Sequence, residues 1–221
     1  MNVIQPLTLN NSTIPYSSSV KNLGLYLDQN LNWTIQVKHI CKKTFSTMHS
    51  LKRLKNFLPT ELKEVLILTL VMPHFDYCDV VYSDLNTDLA QKLQRVLNSC
   101  VRYIFNIRRY DHVTQYYQKL SWLRLNERRK LHSLSLLHQI LQLSTPNYLA
   151  TRFHYLSSQH NFSTRSRQNT LLMIPYHTTS LYSSSFTVAT ARHWNSLPQE
   201  LRGCRSHESF KSVLNKNLKQ N

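Results

Sequence analysis

Residues 59–82 read PTELKEVLILTLVMPHFDYCDVVY, and this stretch decides the fold. It opens with a helix-start signal: Pro59, Thr60 as the expected N-cap, then Glu61 and Glu64 in the first turn, where unsatisfied N–H groups leave partial positive charge. Leu62, Val65 to Leu68, Leu70 to Met72 and Phe75 place apolar groups on almost every side. A helix apolar all round is expected to be buried, with neighbours wrapped about it. The apolar run from Val65 to Met72, broken by Thr69, is far short of the ~18 residues a membrane span needs. Pro73 removes one ladder bond, so the helix is expected to bend there.

Outward from this helix, the pattern is mainly α. Toward the N-terminus, Asn32 or Thr34 to about Leu54 has helical periodicity, with Ile40, Phe45, Met48, Leu51 and Leu54 as its apolar face. Residues 3–27 instead read as short extended runs punctuated by NNST and PYSSS, too few strands for a sheet that stands alone. Toward the C-terminus, Asp88 with Gln91 reads as a capping box. The stripe that follows is Leu89, Leu93, Val96, Leu97, Cys100, Val101 and Ile104. Asp111 to Leu120 is a shorter helical stretch, and Asn126 is the expected cap of a helix to about Leu143. Past Pro146 the composition turns to Ser, Thr, Asn and His, so residues 157–182 read as loop. Two short helices, Ser185 to Leu197 and Ser206 to Lys219, close the chain. This divides it into a β-type piece (1–31), a helical bundle (32–145) and a looser region (146–221).

Length and composition bound the function. With 221 residues the chain can bury a proper core, and two glycines all but exclude Gly-rich phosphate loops. The net charge of +16 favours a polyanionic partner, nucleic acid ahead of an acidic membrane surface. That charge is segregated. Residues 59–90 carry Lys63 against six acids, whereas residues 1–58 carry seven Lys/Arg against one acid and residues 91–145 carry ten against two. Four cysteines without paired spacing, and no secretory or membrane segment, point to a reduced intracellular setting, nucleus or cytoplasm.

Catalytic motifs are wanting. His74 and Cys78, four apart, have nothing nearby to complete a zinc site, and a packed or half-exposed pair is the expected role. Asp76 and Asp79 share a helix face, suited to a divalent ion or, as we expect, to nearby arginines. The candidate phosphate contacts are Lys42, Lys43, Lys52, Arg53 and Lys55 on the first helix. Next come Arg128, Arg129 and Lys130, cations at the helix end where the dipole disfavours them, so an external anion is expected to use them. Arg165 and Arg167, in STRSR, add a compact basic loop. Arg108 and Arg109 end a helix, which the dipole alone explains as well as phosphate does. Tyr116 and Tyr117 are core rings or base-stacking ones.

Seven pieces, taken in order, resemble one family. KNLGLYLDQNLNW (Lys21 to Trp33) is similar to the L-G-(V/I)-x-(L/I)-D-x-x-L-x-W signature just after the palm of non-LTR (LINE-type, jockey-like) retrotransposon reverse transcriptases. His39-Ile40 and LKRL (Leu51 to Leu54) continue it. VMPHFDYC (Val71 to Cys78), with Val81 and Tyr82, resembles P-x-(L/F)-x-Y-(C/G)-x-x-(V/I)-(W/Y). LQRVLNSCVRYI (Leu93 to Ile104) resembles a later helix of the family, without its aligned glutamine. LSWLRLNERR (Leu120 to Arg129), TRS (Thr164 to Ser166) and WNSLP (Trp194 to Pro198) with Phe210-Lys211 follow.

The resemblance implies a right-hand polymerase whose palm aspartates, two of them in a (Y/F)-x-D-D turn, bind the catalytic metal ions. No adjacent Asp-Asp pair occurs in this sequence. The implied chain is the palm end, thumb and post-thumb region, with the catalytic turn expected upstream of residue 1. It would not polymerise by itself, and the divalent metal would belong to the palm. Its implied partners are RNA or DNA duplex, and the palm and fingers of the polymerase. Three other readings stand beside this one: a protein-interaction module docking on the palm, a truncated gene model of a whole polymerase, and a decayed element copy.

Overall fold

A computed structural model describes residues 6–158 and 170–220. The chain is mainly helical, with two small antiparallel two-stranded sheets near its N-terminus. In the first sheet β1 (Leu7–Leu9) pairs with β2 (Ser12–Ile14), Leu7 opposite Ile14. Asn10 and Asn11, both at positive φ, form the two-residue turn that such a tight hairpin requires, so the Ser12 and Thr13 of NNST are strand. All six strand residues are exposed. The second sheet pairs β3 (Ser19–Asn22) with β4 (Leu25–Asp28). It does lean on the helices: Leu25 is buried, and the Tyr26 amide donates to Oε1 of Gln36 at 3.0 Å.

The first helix, α1 (Thr34–Arg53), runs where its periodicity placed it. Its buried side is Val37, Ile40, Cys41, Thr44, Met48 and Leu51, while Phe45 and Leu54, both assigned to that face from sequence, are exposed. Phe45 follows Thr44 by one residue and so turns about 100° away from the buried stripe. Then come α2 (Thr60–Leu70) and α3 (Met72–Asp76). The break falls at Val71, two residues before Pro73 and just past Thr69, whose carbonyl the missing Pro73 N–H leaves without its helical donor. Pro59, rather than Thr60, is the α2 N-cap.

Burial of α2 on every side is not what the structure shows. Lys63 and Ile67 are buried, but Leu62, Val65, Leu68 and Leu70 are exposed. Helices α3 and α4 (Thr87–Phe105) cover one side of it, and nothing among the described residues covers the other. Lys63 itself is 2% exposed; its ammonium donates to Oδ1 of Asn106 at 3.4 Å and lies 5.8 Å from the Tyr103 ring. Helix α4 is capped two residues before the expected capping box, because Asn86 accepts from the Leu89 amide at 2.9 Å. Its predicted stripe is the buried one, with Leu89 half-buried at its start.

Helix α5 (Thr114–Leu120) packs Tyr117 inward, its hydroxyl among Gln94 and Asn98, while the Tyr116 ring lies 4.7 Å from Phe105. Both tyrosines are therefore structural rings. Helix α6 (Leu125–Leu143) begins after Arg124, so Asn126 lies inside it rather than capping it. Four short or terminal helices follow α7 (Asn147–Ala150): α8 (Ser180–Ser183), α9 (Phe186–Asn195), α10 (Gln199–Arg202) and α11 (His207–Gln220).

The apolar interior forms two clusters. One joins β4, α1 to α5 and Leu125. The other joins Leu131, Leu134, Leu137 and Ile140 of α6 to Trp194, Phe210 and Leu214. Helix α6 thus bridges the two, its first turns meeting the first cluster and the rest packing on the C-terminal elements.

Two of the sequence motifs meet in space. Tyr77 donates to the Leu23 carbonyl at 2.7 Å, and its ring would lie 3.2 Å from a Cβ placed on Gly24, whose φ is +87°. Asp28 accepts from the Asn30 and Asn32 amides. Trp33 donates from its indole to Asp84 at 2.8 Å and packs its ring near Tyr82, whose own hydroxyl donates to the Phe75 carbonyl. The glycine, aspartate, tryptophan and tyrosines therefore tie the β3–β4 hairpin to the α3 turn.

Candidate nucleic-acid interface

The α4 residues Arg95, Ser99 and Arg102 recur at i, i+4 and i+7, which puts them on one polar strip of the helix. Tyr103, buried beside that strip, donates its hydroxyl to the Leu51 carbonyl at 3.0 Å and so fixes α4 against the last turn of α1. Lys52 and Arg53 occupy that last turn, where unsatisfied carbonyls favour cations. Between the two helices lies a cleft of about 610 Å³, lined by Lys52, Lys55, Arg95, Ser99, Arg102, Tyr103, Ile107 and Arg109. Five cations line it, and no carboxylate does. Arg102 is held by donating to the Asp111 carbonyl at 3.2 Å, and the Asp111 carboxylate in turn accepts from the Arg108 amide.

The residues expected from sequence fall in several places. Lys52 and Lys55 line the cleft, and Arg53 is exposed beside it. Lys42 and Lys43 are exposed on the same helix but away from the cleft. Lys43 precedes Lys52 by nine residues, which at about 100° per residue turns it to the opposite side. There it faces the α3 end: burial first, then Lys43, hold the His74 and His39 imidazoles below their ordinary range.

The 128–130 trio divides as well. Arg128 grips Asp76 with two nitrogens, the Nη2–Oδ2 distance being 2.6 Å, and this hydrogen bond raises the guanidinium pKa. Arg129 is 6% exposed, lies 5.4 Å from the Tyr82 ring, and is lowered by burial. Lys130 lines a separate cleft of about 460 Å³ that also contains Asp84, Glu127 and His193. The anion on Arg128 is therefore Asp76 of the chain itself and not the external one expected from the sequence. Arg165 and Arg167 lie outside the described residues. Arg109, read from sequence as ending a helix, stands in the turn beyond α4, and Arg95 and Arg102 are the cleft cations absent from the sequence-derived set. Their spacing is visible in the sequence; that their strip faces α1 depends on Tyr103.

Asp79, buried, accepts from Nδ1 of His132 at 2.6 Å, so Asp76, Asp79 and His132 converge within 4.8 Å. Both Asp76 oxygens are taken by Arg128, which closes the group with its own cation. The expectation that these acids answer nearby arginines holds for Asp76. His74 and Cys78 belong to no such three-ligand group among the described residues.

No helix among the described residues is long and apolar enough to cross a membrane. No family model, curated protein or solved structure matches the chain.

Proposed function

We propose that this chain is a non-catalytic, thumb-like part of a retrotransposon-type RNA-directed DNA polymerase that grips template–primer duplex at the α1–α4 cleft. The observation that carries it is the set of five cations from three segments converging on one cleft without a carboxylate. Such a surface suits a phosphate backbone: arginine forks bond phosphate oxygens in pairs, while lysines add mobile positive charge. Contacts of this kind position a duplex without reading its bases, and an RNA–DNA hybrid offers phosphates and 2′-hydroxyls along a shallow groove. The ordered motif resemblance supplies the polymerase context. In this reading divalent metal belongs to the palm, and the chain contributes grip. A double variant, Lys52→Glu with Arg95→Glu, should lower RNA–DNA duplex affinity at least about tenfold, as expected for reversing two phosphate contacts. Lys216→Glu, on α11, should leave it nearly unchanged. Equal affinities for the two variants would overturn the proposal.

A second reading, a module that docks on the palm or another protein, is favoured by the exposed apolar side of α2 and by the fully exposed β1–β2 hairpin. A contiguous apolar surface of this kind is uncommon on a finished exterior. Leu62→Glu with Val65→Glu should abolish association with a palm fragment supplied in trans while leaving duplex binding intact. Association unaffected by that change would dismiss the docking role of α2.

A further inference from the structure

Two largely exposed aromatic rings stand within two residues of cations that line the cleft. Phe57 is 84% exposed and Tyr110 is 89% exposed, the least covered rings flanking the basic surface. Each sits on a turn next to a lining cation. Phe57 follows Lys55 by two residues, and its amide donates to the Leu54 carbonyl at 3.0 Å. Tyr110 follows Arg109, whose guanidinium carbon lies 6.0 Å from the Tyr110 ring centre. Its turn is braced on both sides by Asp111, through the Arg108 amide and the Arg102 guanidinium.

A paired duplex buries its base faces and offers such rings nothing along its length. Unpaired bases do offer a face, and a basic groove flanked by aromatic rings is the arrangement that holds single strands. We propose that a single-stranded extension of the bound duplex runs out along the rim of the cleft, its unpaired bases stacking on Phe57 and Tyr110 while Lys55 and Arg109 beside those rings hold its phosphates. The proposal rests on the duplex-binding reading and assigns the cleft's ligand more narrowly: a duplex with an unpaired overhang.

The test compares a blunt RNA–DNA duplex with the same duplex carrying an overhang of about 8 nucleotides, within the range such folds accommodate. Both probes are titrated against the full chain and against Phe57→Ala/Tyr110→Ala. Both side chains project into solvent, so the variant should fold; far-ultraviolet circular dichroism checks this. The overhang should tighten wild-type binding about tenfold or more, a gain lost in the double alanine variant and kept in Phe57→Trp/Tyr110→Trp. Blunt-duplex affinity should be the same for all three proteins. Blunt binding with no overhang gain in the wild type, or a gain that survives the alanines, would overturn this proposal and leave the duplex reading standing. Failure to bind either probe would overturn both.

Discussion

Arg128 and Asp76 come from helices far apart in sequence, and their paired hydrogen bonds tie the start of α6 to the end of α3. Both side chains are about three-quarters covered, so removing one charge strands the other in a partly dry site. Asp76→Ala should cost roughly 2–3 kcal/mol, the range for a charged hydrogen-bonded pair, measured as a shift of the urea unfolding midpoint. No shift would show the pair to be a surface contact. Arg128 and Arg129 look alike in sequence; one residue of helix turn sends the second beneath Tyr82, which periodicity alone did not reveal. Gly24 is the other decisive residue. Its φ of +87° and the Tyr77 ring beside it make Gly24→Ala strained on two counts, and a loss of about 1–2 kcal/mol or more is expected on the same assay. The cysteines offer a chemical check. Burial pushes the Cys100 thiol up to about 12 and raises Cys41, whereas Cys78 and Cys204 are half-exposed. Iodoacetamide at neutral pH should therefore modify Cys78 and Cys204 first, and early labelling of Cys100 would contradict this packing.

Among the elements, α1, α4 and α11 were legible because each carries an apolar stripe with a 3.6-residue period. Helix starts were less so. Asn86 rather than Asp88 caps α4, since either residue type can accept an amide and sequence does not say which one stands at the backbone turn. The largest miss is α2, whose composition spoke for burial while its neighbours cover only the side of Lys63 and Ile67. Ile67→Ala should cost about 2–4 kcal/mol, as for a buried aliphatic, but Leu62→Ala less than about 1. Equal costs would return α2 to the core. The junction of α1 and α3 also sets a pH response. His39 and His74 are held below their unfolded value of 6.5, so below about pH 6.5 the unfolded chain binds more protons. Stability should be full above that value and fall as pH drops through it. Urea midpoints at pH 7.5 and 5.5 would show this, and a rise on acidification would contradict it.

At the scale of the molecule, the charge segregation seen in sequence survives folding in altered form. Asp76, Asp79 and Asp84 of the acidic segment turn inward to Arg128, His132 and Trp33. The basic segments that remain meet across α1 and α4. Half of that meeting, Lys52 and Lys55, was legible as charge on one helix. The other half needed the Tyr103–Leu51 hydrogen bond, a contact between residues that no pattern links. In the proposed function this cleft binds nucleic acid through phosphates. The most direct test of this claim is the affinity of the purified chain for an RNA–DNA duplex across a salt series, read by fluorescence anisotropy. The claim predicts that log K falls linearly with log salt, with a slope of about −3 to −5 for a handful of neutralised phosphates. A soluble, helical chain that fails to bind at low salt, or binds with an affinity indifferent to salt, would contradict it.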